Sequence, residues 1–203
     1  MAPKKKIARH RDAQSTFIWG RNGTGKSTLV KEMVEKIGKP TLVVTKAGMP
    51  KIWRPYPVID ATDPEAYQFK GIRQVHEHLL EKDTFRYIYR YFRNGSLVLD
   101  DCKTYFPNTL DTHPYLKDIF VNYRHIMVDV YTIVHSGRQV PKRAWDHSTN
   151  VIIGATPSLL DKSTPIADVD RIIEMQRDVN RSWKAAAAKN DGSHYGIFKL
   201  VRL

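Results

Sequence analysis

STFIWGRNGTGKSTLVKEMVEKIGK, residues 15–39, decides the fold of this 203-residue chain. STFIW (15–19) is a short apolar run of strand length. It meets Gly20-Arg21-Asn22-Gly23-Thr24-Gly25-Lys26-Ser27, which fits GxxxxGK[ST] in full. Beyond it, Leu29, Val30, Met33, Val34 and Ile37 recur at helical spacing. Gly38 and Pro40 end that helix, expected over 27–39. Strand, glycine loop and helix in this order are what phosphate binding requires. Glycines let the backbone turn its N–H groups inward on phosphate oxygens. The helix adds its N-terminal amides and the positive end of its dipole. Asn22, Gly23, Thr24, Gly25, Lys26, Ser27 and Thr28 are therefore the candidate nucleotide-binding residues, Lys26 bridging the β- and γ-phosphates and Ser27 offering its hydroxyl to Mg²⁺.

Outward from this unit, TLVVT (41–45) reads as a strand. Residues 46–71 are proline-rich and irregular, with a minor strand expected near Pro57–Asp60. Residues 72–93 carry helical patterning, as one or two helices. SLVLD (96–100), VDVYTIV (128–134) and NVIIGA (150–155) read as strands, and 113–125 and 165–188 as helices. HYGIFKLV (194–201) alternates like an edge strand. Strands alternating with helices predict an α/β fold, a mostly parallel sheet with flanking helices and a C-terminal edge strand. No internal repeat or linker interrupts residues 15–203, which are read as one domain behind a basic, flexible tail, residues 1–14.

SLVLDD (96–101) is an apolar strand ending in two carboxylates, downstream of the glycine loop. A buried strand tip carrying Asp is where a phosphate-loop enzyme holds Mg²⁺, so Asp100 is the candidate metal ligand beside Ser27. Asp101 is placed to polarise the attacking water. Asp100-Asp101-Cys102-Lys103 is not the DxxG of GTP switches, and Thr45-Lys46-Ala47-Gly48 lacks the Asp of their guanine-reading motif. An LSGGQ-like segment is also absent.

Lys and Arg number 33 against 21 Asp and Glu, a formal charge of +12. That excess suits a polyanion or a phosphate-rich ligand. One cysteine, Cys102, excludes an internal disulfide, and no Cys/His spacing fits zinc. No run is apolar enough to span a membrane and no secretory leader is recognisable, so a cytoplasmic protein is expected.

LVLDDCKTYFP (97–107) resembles the "hhhhDEaHrhhP" segment of the FtsK–HerA ATPases, and residues 122–154 resemble their following helix–strand–loop–strand unit. Small size and the lack of appended domains resemble the viral genome-packaging branch. The zonula-occludens-toxin-like ATPases of phage assembly share the same signals. The resemblance implies a RecA-like (ASCE) P-loop NTPase core in which the strand at 128–134 lies between the P-loop strand and the strand ending at Asp100. It implies ATP and Mg²⁺ as ligands, and DNA, held largely without regard to sequence, as partner. It also implies a homo-oligomeric ring, a pentamer or hexamer, that can dock on a capsid vertex or portal-like partner in the host cytoplasm or on the virion. A γ-phosphate sensor is implied at His135 or Gln139, and an arginine finger at Arg124 or Arg138. Pore-facing DNA contacts are implied at Lys103, Lys142 and Arg143. The family prefers Glu where this chain has Asp101, one methylene shorter.

The expected function is thus a DNA-translocating ATPase, a viral packaging-motor subunit. A phage extrusion ATPase is the nearest alternative. A nucleotide or nucleoside kinase is another, with Arg86, Arg90 and Arg93 mimicking a lid. A non-hydrolysing P-loop subunit is the last. The same three arginines, interleaved with aromatics in FRYIYRYFR (85–93), suit either stacking on single strands or the wet face of an ordinary helix. Trp53 is a candidate border of the nucleobase or of a subunit interface.

Overall fold

Ser15–Trp19 forms β1, buried along its whole length because both edges are paired. The computed structural model describes residues 12–45, 51–76, 84–101 and 110–203. Over those residues β1 is joined by β2 (Thr41–Thr45), β3 (Ile72–His76), β4 (Ser96–Leu99), β5 (Asp129–Val134), β6 (Asn150–Gly154) and β7 (Phe198–Arg202). The strand order is β3-β2-β4-β5-β1-β6-β7. Every pairing is parallel except the last, where β7 runs antiparallel to β6 as an edge. Strand β5 lies between β1 and β4, as the resemblance implied.

Among the described residues four α-helices cover the sheet: α1 (Lys26–Ile37), α2 (Thr84–Tyr91), α3 (Pro114–Asn122) and α4 (Val169–Ala187). Helix α1 ends where Gly38 takes φ 71° and donates its N–H to Val34 O. Its apolar stripe is the one read from sequence: Val30 and Val34 are buried, with Leu29, Met33 and Ile37 packed beside them. They meet one face of the sheet, at Ile18, Val43, Val98, Tyr131 and Ile152, together with Trp53. The other face carries α2, α3 and α4 over Phe17, Leu97, Leu99, Val130 and Val151. Burial on both sides is why the central strands are continuous apolar runs rather than alternating ones.

The ends of the sheet opposite the P-loop are fastened by a buried charge. Asp129 accepts from the backbone N–H of Gln14 (2.9 Å) and from Lys39 Nζ (3.1 Å), tying together the approaches to β1, β2 and β5. With its side chain fully buried, this carboxylate depends on those partners.

The reading of 72–93 as helical fails at its start, since residues 72–76 are strand β3. Ile72 and Val75 are three apart, which suggests a helix, but Gln74 between them is also buried. Its Nε2 donates to Tyr56 O (2.6 Å) and Trp53 O (3.3 Å), so a polar residue is accommodated in a buried strand by the preceding loop. The minor strand expected near Pro57–Asp60 reduces to an isolated bridge, Val58 to Gln74. The long helix begins at Val169 rather than near 165, and the edge strand at Phe198 rather than 194. The basic tail lies outside the described residues through residue 11.

Candidate phosphate-binding and catalytic site

The site forms where β1, β4 and β5 end side by side. Parallel strands place the residues following each of them on one edge. After β1, Gly23 (φ 76°) and Gly25 (φ 88°) take left-handed backbone conformations that a side chain disfavours, and the loop closes onto α1. A cavity of about 510 Å³ opens there. Asn22, Gly23, Gly25, Lys26, Ser27 and Thr28 line it from the loop, Asp100 and Asp101 from the end of β4, and His135 from the end of β5. Thr24 stands apart: it is buried and its hydroxyl donates to Arg21 O (2.9 Å), bracing the loop.

Lys26 Nζ donates to Gly20 O (2.6 Å) and Arg21 O (3.0 Å). These two backbone carbonyls solvate the buried ammonium through charge-assisted hydrogen bonds. Burial pushes the Lys26 pKa down to about 8, and the Asp100 and Asp101 carboxylates oppose the shift. Ser27 Oγ donates to Asp100 Oδ1 (3.2 Å), and Trp53 Nε1 donates to Asp100 Oδ2 (2.6 Å). Burial pushes the Asp100 carboxyl up, while the bonds from Trp53 and Ser27 pull it down.

No group of three or more His, Cys, Asp or Glu among the described residues could hold a metal by itself. A hydroxyl and one carboxylate nonetheless fit Mg²⁺, which keeps waters and shares substrate phosphates rather than needing an all-protein cage. Ser27 and Asp100, already in contact, supply that pair.

Asp101 follows the strand with φ 50°, an uncommon conformation for a residue other than glycine. Its Oδ1 lies 3.1 Å from His135 Nε2. A carboxylate only accepts, so in this contact Nε2 carries the proton. Gln139 stands behind: its Oε1 accepts the backbone N–H of His135 (2.9 Å). Of the two sensor candidates, then, His135 lines the cavity and Gln139 holds His135.

The remaining candidates lie elsewhere. Arg124 precedes β5, at the opposite end of the sheet, stacked on Tyr123. Arg138 is exposed, and its Nε donates to Leu159 O (2.6 Å). Arg143 pairs with Asp111 (2.6 Å), and Lys142 beside it is exposed. Lys103 lies outside the described residues. Arg86, Arg90 and Arg93 are exposed while Phe85, Ile88 and Phe92 are buried, the ordinary division of an amphipathic helix.

Trp53 borders neither base nor neighbour; it is fully buried in the core beneath the site. The proline-rich loop turns it inward, and its hydrogen bond to Asp100 crosses 47 residues, which no local pattern reveals. Trp53→Phe keeps the ring but strips Asp100 of a donor. It is expected to cost about 1–3 kcal/mol of stability, read as a lowered urea midpoint. An unchanged midpoint would show that Asp100 does not depend on the indole.

No protein-family model matches the chain, and no curated protein matches it in sequence. Solved structures do. The genome packaging NTPase B204 from Sulfolobus turreted icosahedral virus 2, in complex with AMP, superposes with a TM-score of 0.63 at 13% identity, over 94% of this chain and 92% of that one. The chain has a RecA-like P-loop NTPase fold. The ATP-γS complex of the same virus protein gives a TM-score of 0.60 at 12% identity, over 90% and 88%. The N-terminal domain of zonular occludens toxin from Neisseria meningitidis gives 0.53 at 15% identity, over 81% and 91%. Both lines of likeness read from the sequence thus have a counterpart in this fold.

Proposed function

We propose that the chain is a Mg²⁺-dependent ATPase that translocates DNA, a subunit of a viral genome-packaging motor. The observation that carries the ATPase reading is the convergence of Lys26, Ser27, Asp100, Asp101 and His135 on one cavity. ATP enters with its phosphates in the loop, drawing Lys26 Nζ off the Gly20 and Arg21 carbonyls. Bound Mg²⁺, held through Ser27 and Asp100, would neutralise phosphate charge. Asp101 accepts a proton from water as the water oxygen bonds the γ-phosphorus. The bond to the β-phosphate oxygen breaks, its electrons leave with ADP, and Lys26 stabilises the charge. His135 positions Asp101 and reports the γ-phosphate, with Gln139 fixing its backbone.

The motor reading is supported by near end-to-end likeness to a packaging NTPase and by the +12 charge. In it, residues 15–203 act as one domain and the basic tail, residues 1–14, as an arm for polyanions. Identical subunits form a five- or six-membered ring in the host cytoplasm, docked on a capsid vertex. Arg138 or Arg124 of one subunit completes the site of the next, while Lys103, Lys142 and Arg143 face the DNA. The likeness to zonular occludens toxin favours one second reading, an extrusion ATPase acting without DNA. No helix among the described residues is long and apolar enough to cross a membrane. A kinase has less support, since Arg86, Arg90 and Arg93 do not line the cavity.

ATP hydrolysis with and without double-stranded DNA separates these readings. The motor reading expects DNA to raise turnover several-fold. Turnover indifferent to DNA would sink it in favour of extrusion.

A further inference from the structure

A second cavity, of about 530 Å³, lies beside the P-loop between α4 and the segment that follows β6. Arg177, Arg181 and Lys184 line it from α4, Arg21 lines it from the P-loop, and no carboxylate among the described residues does. Positions 177, 181 and 184 are spaced i, i+4, i+7 and stand on one helical face. Arg181 pairs with Asp178, whereas Arg177 and Lys184 have no ion-pair partner among the described residues. Unpaired like charges in a concavity repel one another unless an anion joins them.

The opposite wall is pre-organised. Asn180 clamps Thr156, accepting its N–H and donating to its carbonyl, both at 2.9 Å. The fully buried Gln176 does the same further on, donating to Ser158 O (2.9 Å) and accepting from Leu160 N (3.2 Å). Two buried or half-buried amides thus fix the irregular segment against α4.

Arg21 joins this cleft to the P-loop. Its guanidinium lies 4.7 Å over the Trp183 ring. Its backbone N–H donates to Ala155 O (2.7 Å), while its carbonyl accepts Lys26 Nζ. A triphosphate that draws Lys26 away removes a partner from the very peptide whose side chain lines the cleft.

From these observations we infer that the cleft is a second phosphate site, taking phosphodiester groups of the DNA backbone, and that Arg21 couples its occupancy to that of the P-loop. The inference rests on the DNA reading above and assigns a gripping surface that reading did not contain. The cleft holds phosphates without reading bases, as a translocating protein requires. Coupling is reciprocal, so a nucleotide that changes DNA affinity is itself bound differently in the presence of DNA, by the same factor.

The test is fluorescence anisotropy of a short labelled DNA duplex of arbitrary sequence, with a non-hydrolysable ATP analogue present, over a salt series. Arg177→Ala/Lys184→Ala is compared with the unaltered chain. Both side chains are exposed, so the fold is retained. The double variant is expected to bind DNA about tenfold more weakly and to lower the log K against log salt slope by about two. Its binding of a fluorescent ATP analogue without DNA should be unchanged. DNA binding unaffected in the double variant overturns the cleft and leaves the DNA reading standing. An unaltered chain that binds no DNA overturns both. Poly-glutamate binding as tightly as DNA, and lost in the same variant, overturns the phosphodiester assignment in favour of an acidic protein partner.

Discussion

Lys26→Ala is expected to lower ATP turnover by about a thousandfold, comparable to removing a principal donor from a preorganised anion site. Its ammonium is the one cationic side chain lining the P-loop cavity among the described residues. The loop itself should persist, because Thr24 braces it through Arg21 O and Gly25 and Gly38 still bound the helix. Steady-state hydrolysis paired with a thermal melt checks this: turnover lost with the melt retained is the expected pair. Turnover within a few-fold of the unaltered chain would remove Lys26 from the chemistry. The pH dependence of nucleotide binding gives a second readout of the same side chain. Before nucleotide binds, Lys26 loses its proton near pH 8, because burial disfavours the charge. Bound phosphate favours the ammonium and raises that value. Below about pH 8 the lysine is already charged and its contribution to affinity is flat. Above it, binding must take up a proton, so this contribution weakens by about tenfold per pH unit until the bound-state value is passed.

Asp101→Asn is the second large effect expected, a fall in turnover of about 10²–10⁴-fold with nucleotide binding retained. The amide is isosteric, keeps an oxygen that can accept from His135 Nε2, and cannot take a proton from water. A left-handed backbone suits Asn as well as Asp, so the fold at this position does not resist the change. Single-turnover hydrolysis, with binding measured separately, distinguishes loss of chemistry from loss of substrate. If turnover survives, the proton acceptor is another group, and the contact between Asp101 and His135 is structural.

What could be read from the sequence was what is encoded locally. Gly20 through Ser27 declares its backbone and its chemistry within one turn of chain, and the apolar run ending at Asp100 does nearly the same. Trp53 escaped because its role is a single hydrogen bond to a carboxylate on another element, hidden in a stretch without periodicity. Strand β3 escaped because Gln74 is buried by carbonyls of Trp53 and Tyr56, a tertiary solution to a local misfit. The cleft beside α4 escaped for a third reason. Its arginines and lysine lie within one helix, and nothing local shows that Arg21, far away in the sequence, is brought opposite them.

The position of β1 also sets a schedule for the molecule's birth. On a ribosome β1 appears well before its neighbours, which are β5 and β6: Ser15 waits for Val130, and Thr16 for Asn150. Strands β2, β3 and β4 are synthesised in between and can zip with one another first. The nascent P-loop therefore spends most of synthesis attached to a strand with two bare edges and an apolar surface, the condition under which chains stick to one another. Joining such distant segments is slow. Competence to hold a phosphate thus arrives late and all at once, when the centre of the sheet closes.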